Sequence, residues 1–290
     1  SGVAPGQVDQ VLLGQSYQVV GDLGHAEGSL SEAELLAEDC DNDELVAKIA
    51  LSAATLRWMK GEAARAEGDF SRAKKTWERL GDNTRMAHAL VGMGLCASHQ
   101  GERNRAARLF RDAADTRGTE PWVRAAALNN LGMLWLENGD YSRAQTSLEQ
   151  GLEANEQAGD GRGVAQSQCS LGELYYRLGR FDEAGQLLRE TRQEAAEMED
   201  IECLELATAY LARARIAGGA SEEARKLMAD VPRTDEMENR EVQIVCRLAE
   251  LEATVPCAFR DRPGDTQKPR EALARALQQW PERADLASAV

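Results

Sequence analysis

The sequence is poor in most of the features that announce a catalytic or membrane protein. Aromatic residues make up only 5% of its 290 residues, so any core must be assembled from small and aliphatic side chains. Runs of Val, Ile and Thr long enough for a sheet are missing, and no apolar run approaches the roughly 18 residues needed to span a bilayer. The first ten residues, SGVAPGQVDQ, lack the basic and apolar parts of a signal peptide. The 6 cysteines (Cys40, Cys96, Cys169, Cys203, Cys246 and Cys257) have neither CxxC spacing nor a pairing period. That excludes a disulfide framework and a zinc knuckle, and a reducing, cytoplasmic compartment is expected. Positive charge is also short. With 34 Lys+Arg against 49 Asp+Glu, the formal charge of -15 repels phosphate backbones and anionic lipid, so neither nucleic acid nor membrane is an expected partner.

Catalytic signatures are equally scarce. There is no phosphate loop ending in Gly-Lys-Ser/Thr, no HExxH and no GxSxG. The glycine-rich stretch at 159–163 lacks the lysine and hydroxyl of a nucleotide loop and falls at a periodic turn. His88 and His99 stand eleven residues apart, about three helical turns, which shares a face but separates them by about 16 Å, too far for one metal. Cys96 and His99, one turn apart, supply two ligands without a third. No cofactor, no metal site and no enzymatic activity are expected.

What the sequence does contain is a repeat. Gly-x4-Ala recurs at Gly28/Ala33, Gly68/Ala73, Gly101/Ala106, Gly139/Ala144, Gly179/Ala184 and Gly219/Ala224, with alanine-to-alanine steps of 40, 33, 38, 40 and 40 residues. Such a step holds two helices and two short turns. Seven residues before each of these glycines stands another small residue: Gly21, Gly61, Gly94, Gly132, Gly172 and Ala212. A mid-helix glycine costs roughly 0.5 to 1 kcal/mol against alanine, so its recurrence predicts close approach of a second helix. The later glycine of each unit is expected in the turn that ends the first helix.

Large apolar residues complete the pattern. Phe70, Tyr141 and Phe181 precede the alanine by three, and Trp77, Phe110, Leu148, Leu188 and Met228 follow it by four. Leu131-Gly132, Trp135, Gly139, Tyr141 and Ala144, then Leu171-Gly172, Tyr175, Gly179, Phe181 and Ala184, resemble the tetratricopeptide repeat over roughly residues 12–230. The resemblance implies an all-α, right-handed superhelical solenoid of antiparallel helix hairpins. Most of the steps, at 38 to 40 residues, exceed the standard unit of 34, and the surplus turn is expected near 81–82, 159–163 and 199–200. About six hairpins are expected over 1–230. Residues 231–290 are expected to form a degenerate terminal repeat in the same array: a helix over 239–254, a loop over 256–269, a helix over 270–277 and a capping or cut helix from Pro281. Both ends look cut, which predicts a longer natural chain and leaves self-association through uncapped ends open.

In such an array the first helix of each hairpin lines a concave groove. The register assigns to it Thr55, Trp58, Glu62 and Arg65; His88, Val91, Leu95 and His99; Asn129, Met133 and Leu136; Gln166, Cys169, Glu173, Tyr176 and Arg177; and Leu206, Arg213 and Ile216. The stripe is unusually apolar for exposed surface. Trp58, Met133, Leu136 and Tyr176 are the expected anchors for an extended peptide or amphipathic helix, with Asn129, Gln166 and Arg177 bonding its polar groups. The family's carboxylate clamp of Lys, Asn and Arg is not matched: the corresponding places hold Trp58/Glu62, Val91/Leu95 and Asn129/Met133. The expected function is a non-enzymatic scaffold for a protein or peptide segment, part of a larger signalling or regulatory protein. The alternative is a sensor domain that responds to a ligand and controls an attached kinase or DNA-binding domain.

Overall fold

The computed structural model describes residues 42–229, together with residues 25, 28–33 and 249. All its labelled elements are helices: α1 (Asp43–Met59), α2 (Ala63–Leu80), α3 (Asn83–His99), α4 (Arg103–Ala114), α5 (Pro121–Glu137), α6 (Tyr141–Ala158), α7 (Gly161–Arg177), α8 (Phe181–Glu197), α9 (Ile201–Ala217) and α10 (Ser221–Ala229). The chain divides into two compact units, Ser1–Gly163 and Val164–Val290. In the first, α1 packs on α2, α3 on α4 and α5 on α6, and each hairpin packs on the next. In the second, α8 packs on α9 and α9 on α10.

The hairpin turns follow from one backbone conformation. Gly139 has φ 75°, in the left-handed region where a Cβ clashes with the backbone. Its N–H donates to the Leu136 carbonyl at 3.1 Å and the next N–H, of Asp140, to the Trp135 carbonyl at 2.9 Å. These bonds satisfy carbonyls that the helix end leaves open. Gly101, Gly179 and Gly219 repeat the arrangement. Between hairpins the same conformation occurs at Gly81 and Gly159, but Glu199 holds that place before α9 with φ 56°. An aspartate follows in each case. Asp82 and Asp200 accept from the N–H groups of Arg85 and Cys203 at 2.9 Å and 3.2 Å, and Asp160 accepts from that of Gly163 at 3.0 Å. These side chains cap α3, α9 and the first turn of α7.

The structure corrects the register of one unit. Gly68 lies inside α2, exposed and with open space around it, while Gly61 takes the turn with φ 80°. The small residue on α1 is therefore Ala54, which is fully buried, and the paired alanine on α2 is Ala66. The 33-residue step therefore moves to the interval from Ala33 to Ala66, and Ala66 to Ala106 becomes 40 residues. Phe70 becomes the equivalent of Phe110, Leu148 and Leu188. The surplus turn lies in the helices themselves, several of which run 17 or 18 residues, rather than in the connections.

The small residues serve the expected purpose. A Cβ on Gly132 would lie 2.6 Å from Leu148, one on Gly172 2.5 Å from Leu188, and one on Gly94 2.5 Å from Phe110. Each glycine is a notch that admits the large side chain four residues after the paired alanine. Helix α3 carries a second notch: a Cβ on Gly92 would lie 2.4 Å from the ring of Phe70, on α2. The helix over 239–254, the loop over 256–269 and the elements from 270 onward lie outside the described residues. So does the first unit's Gly21. Ala249 alone of that region is described, helical and buried against Ala212, Ile216 and Ala224.

Candidate functional site

In the first unit, α1, α3 and α5 lie side by side as the first helices of their hairpins. The place immediately after each notch holds Thr55, Leu95 and Met133, all half-buried. Three residues before the notch on α5, Asn129 is half-buried too, and its Oδ1 is buried with no hydrogen-bond partner. Near the ends of α1 and α3, Trp58 and His99 meet edge to face with ring centroids 5.6 Å apart. Trp58 is half-buried against the cluster of Ala54, Ala66, Phe70 and Cys96, whereas His99 is exposed. His88 meets the edge of Trp122 at 5.4 Å, and burial holds its imidazole pKa below the ordinary value.

Several residues assigned to the groove stand elsewhere. Glu62 and Arg65 belong to the turn and first residues of α2 and pair with each other at 3.1 Å, because the register of this unit moved by seven residues. Leu136 is only 2% exposed, and Val91, Cys169 and Ile216 are also core. Leu136 and Ile216 stand four residues after the notch, one turn along the face that packs on the second helix. They are not offered to a ligand.

In the second unit, Gln166, at the start of the row, is exposed, and Leu206 is half-buried. The rest of the row is charged and interlocked. Glu173 takes the place of Thr55, Leu95 and Met133, and Arg213 takes it in the next hairpin; they are 6% and 7% exposed. The Tyr210 hydroxyl donates to Glu173 Oε2 at 2.7 Å, and Arg177 Nη2 donates to Glu173 Oε1 at 3.0 Å. The Arg213 guanidinium lies 4.6 Å from the ring centroid of Tyr176, which in turn packs on Phe181 at 5.9 Å. A buried carboxylate is tolerated only with such partners. Glu173 and Arg213 are thus enclosed by their partners, while Tyr176 is half-buried and Arg177 exposed.

Two contributors escaped the sequence reading. Trp122, 43% exposed at the start of α5, stands outside the repeat pattern, and the Pro121 before it marks only a helix start. Tyr210 had a signal: it occupies the place held by Ser52, Gly92, Asn130 and Ser170 in the other hairpins. A phenol there, where small or polar residues are the rule, points to a specific polar contact. Among the described residues no group of three His, Cys, Asp or Glu could hold a metal ion, and no helix is long and apolar enough to cross a membrane.

With this geometry in place, comparison with known proteins defines the class. Residues 123–193, which run from α5 to α8, match the tetratricopeptide repeat family. The fold is shared with several solved structures. The Rap protein complexed with Competence and Sporulation Factor aligns with a TM-score of 0.64 at 17% identity, over 94% of this chain and 76% of that one. NprR in complex with its cognate peptide NprX aligns at 0.61 and 13% identity, over 97% of this chain and 80% of that one. BtubC from P. vanneervenii aligns at 0.54 and 23% identity, over 66% of this chain and 81% of that one. No curated protein matches the sequence. The described helices form hairpins of the tetratricopeptide type, and residues 123–193 match that family by sequence as well.

Proposed function

We propose that this chain is a protein-interaction scaffold that receives an extended peptide or amphipathic helix on the face built by the first helices of its hairpins. In the first unit the contact surface is Trp58, His88, Leu95, His99, Asn129 and Met133; in the second it is Gln166, Tyr176, Arg177 and the supporting pair Glu173 and Arg213. No covalent chemistry is asked of these groups, and the scaffold works within a larger signalling or regulatory protein.

The observation that carries this reading is the amide of Asn129. Its Oδ1 is buried without a partner, which costs about 1 to 3 kcal/mol. A ligand whose backbone N–H reaches this oxygen as it docks recovers that cost. Beside it, Met133 and Leu95 give apolar, adaptable contact of the kind used by peptide grooves. The Rap and NprR structures, solved with Competence and Sporulation Factor and with the peptide NprX, support a peptide occupant.

The test is selection of binders from a displayed library of random peptides, followed by titration of the selected peptides against wild type and Asn129→Ala. Loss of about tenfold or more in affinity, with unchanged circular dichroism, is expected for one to two lost hydrogen bonds. Peptides that bind the Asn129→Ala/Met133→Ala double variant as tightly as wild type sink the assignment of this face.

A further inference from the structure

A second site lies away from that face, in the second unit. A cavity of about 400 Å³ opens between α8, α9 and α10, lined by Arg189, Arg192, Leu211, Arg215, Glu223, Lys226 and Leu227. Four cations and one carboxylate face it, in a chain whose formal charge is -15. That inversion of sign is local and structured.

Arg215 is the best placed of the four. Gly185 on α8 leaves room for its guanidinium, which would contact an added Cβ at 3.4 Å. The side chain is 22% exposed, and its carboxylate neighbour, Glu223, stands 3.7 Å away and is itself 68% exposed. That distance is beyond a hydrogen bond, so most of the five guanidinium donors remain available. Arg192 is held from behind by donating Nε to Thr208 Oγ1 at 3.0 Å. Among the described residues, Arg189 and Lys226 have no carboxylate partner. Of the neighbouring acids, Glu222 pairs with Arg225 at 2.9 Å and Glu183 with Arg180, which leaves Glu223 as the one carboxylate in the lining.

We propose that this cavity binds a phosphomonoester. Three guanidinium groups match the planar, bidentate recognition of phosphate oxygens, and the lysine adds a point charge. The net charge of the lining suits a dianion better than a single carboxylate. Leu211 and Leu227 offer an apolar floor to the group that carries the phosphate, and the volume sits at the lower end of ligand pockets, enough for a phosphate and a short stem. The phosphate arrives either on a small metabolite or on a phosphorylated side chain of a partner, and the chemistry of recognition is the same.

The test is calorimetric titration of the full chain with inorganic phosphate, O-phosphoserine and a short phosphoserine peptide, the serine peptide and acetate serving as controls. Saturable binding of the phosphorylated probes is expected, weakening as salt rises. Arg189→Glu, at an exposed position that folding does not need, is expected to weaken it by about tenfold or more, and Arg215→Ala likewise. Asn129→Ala leaves it unchanged, so this site and the peptide face succeed or fail separately. Equal affinity for phosphoserine and its peptide assigns the site to small phosphorylated molecules; tighter binding of the peptide assigns it to a partner's side chain. The proposal is overturned if no phosphorylated probe saturates up to about 10 mM, a limit weaker than any useful affinity. It is overturned equally if acetate binds as well as phosphate, or if Arg189→Glu binds as wild type does.

Discussion

Tyr210 and Glu173 are joined by a 2.7 Å hydrogen bond between α9 and α7, in which the phenol donates to a carboxylate that is almost wholly buried. The bond ties two consecutive hairpins of the second unit through their first helices. It also fixes the carboxylate that holds Arg177, so one hydroxyl sets the position of a residue at the edge of the proposed contact surface.

Tyr210→Phe is expected to lower the free energy of unfolding by about 1.5 to 3 kcal/mol, the range for a hydrogen bond to a charged group. On a Glu173→Gln background the same change should cost clearly less. Urea denaturation of the four proteins gives the coupling directly. Additive losses would mean that the bond contributes nothing of its own.

Two glycines on neighbouring helices should respond oppositely to the same methyl group. Gly68 sits in the middle of α2 with open space around it, so Gly68→Ala should stabilise by about 0.5 to 1 kcal/mol. Gly92→Ala drives a Cβ into the Phe70 ring and should destabilise by about 1 to 3 kcal/mol. Phe70→Leu should recover part of that loss in the double variant, as read from thermal midpoints.

The Cys96 thiol is wholly buried, and that burial, with Glu67 nearby, pushes its pKa from 9.0 up to about 11. Its thiolate fraction near pH 8 is then about a hundredfold below that of an ordinary cysteine. Iodoacetamide followed by site-resolved mass spectrometry should find Cys96 unmodified in the native protein and modified as urea opens α3. Prompt native modification would contradict the burial.

His88 brings a dependence on acid. Its folded pKa is held below the ordinary 6.5 by burial, so on lowering the pH the unfolded chain takes up a proton first. Above about pH 6.5 both states are neutral and His88 adds no slope; below it, stability falls until the folded imidazole also titrates. Urea midpoints of wild type and His88→Gln should therefore diverge, to the disadvantage of wild type, between about pH 6.5 and pH 5. A constant difference across that range would remove the effect.

Much of the fold was legible because mid-helix glycines at Gly94, Gly132 and Gly172 demand a reason, and close packing is the available one. The failure at Gly68 has an equally physical origin. Notch and turn are seven residues apart in every unit, and Ala54, Gly61 and Gly68 are all small at that spacing. Both Gly61 and Gly68 are also followed five residues later by alanine, Ala66 and Ala73. Local spacing therefore cannot separate the two registers; the packing of Phe70 and the buried Ala54 do. The half-buried places of Trp58, Leu95, Asn129 and Met133 on the first helices follow from the repeat register. The burial of Glu173 and Arg213 does not, since a charge on a helix is ordinarily solvated, and only the approach of α9 to α7 encloses them. The basic cavity was invisible for a similar reason: Arg189, Arg192, Arg215 and Lys226 come from three helices, and overall acidity concealed their convergence.

Helix α3 carries its two notches two residues apart, and they face different neighbours, Gly92 toward Phe70 of the preceding hairpin and Gly94 toward Phe110 of its own. A rotation of α3 that eased one ring would press on the other, because a close-packed contact has no slack to absorb it. The two hairpins should therefore turn as meshed gears turn. A ligand that displaces one of them would move both, giving the first unit a built-in means of spreading a local push.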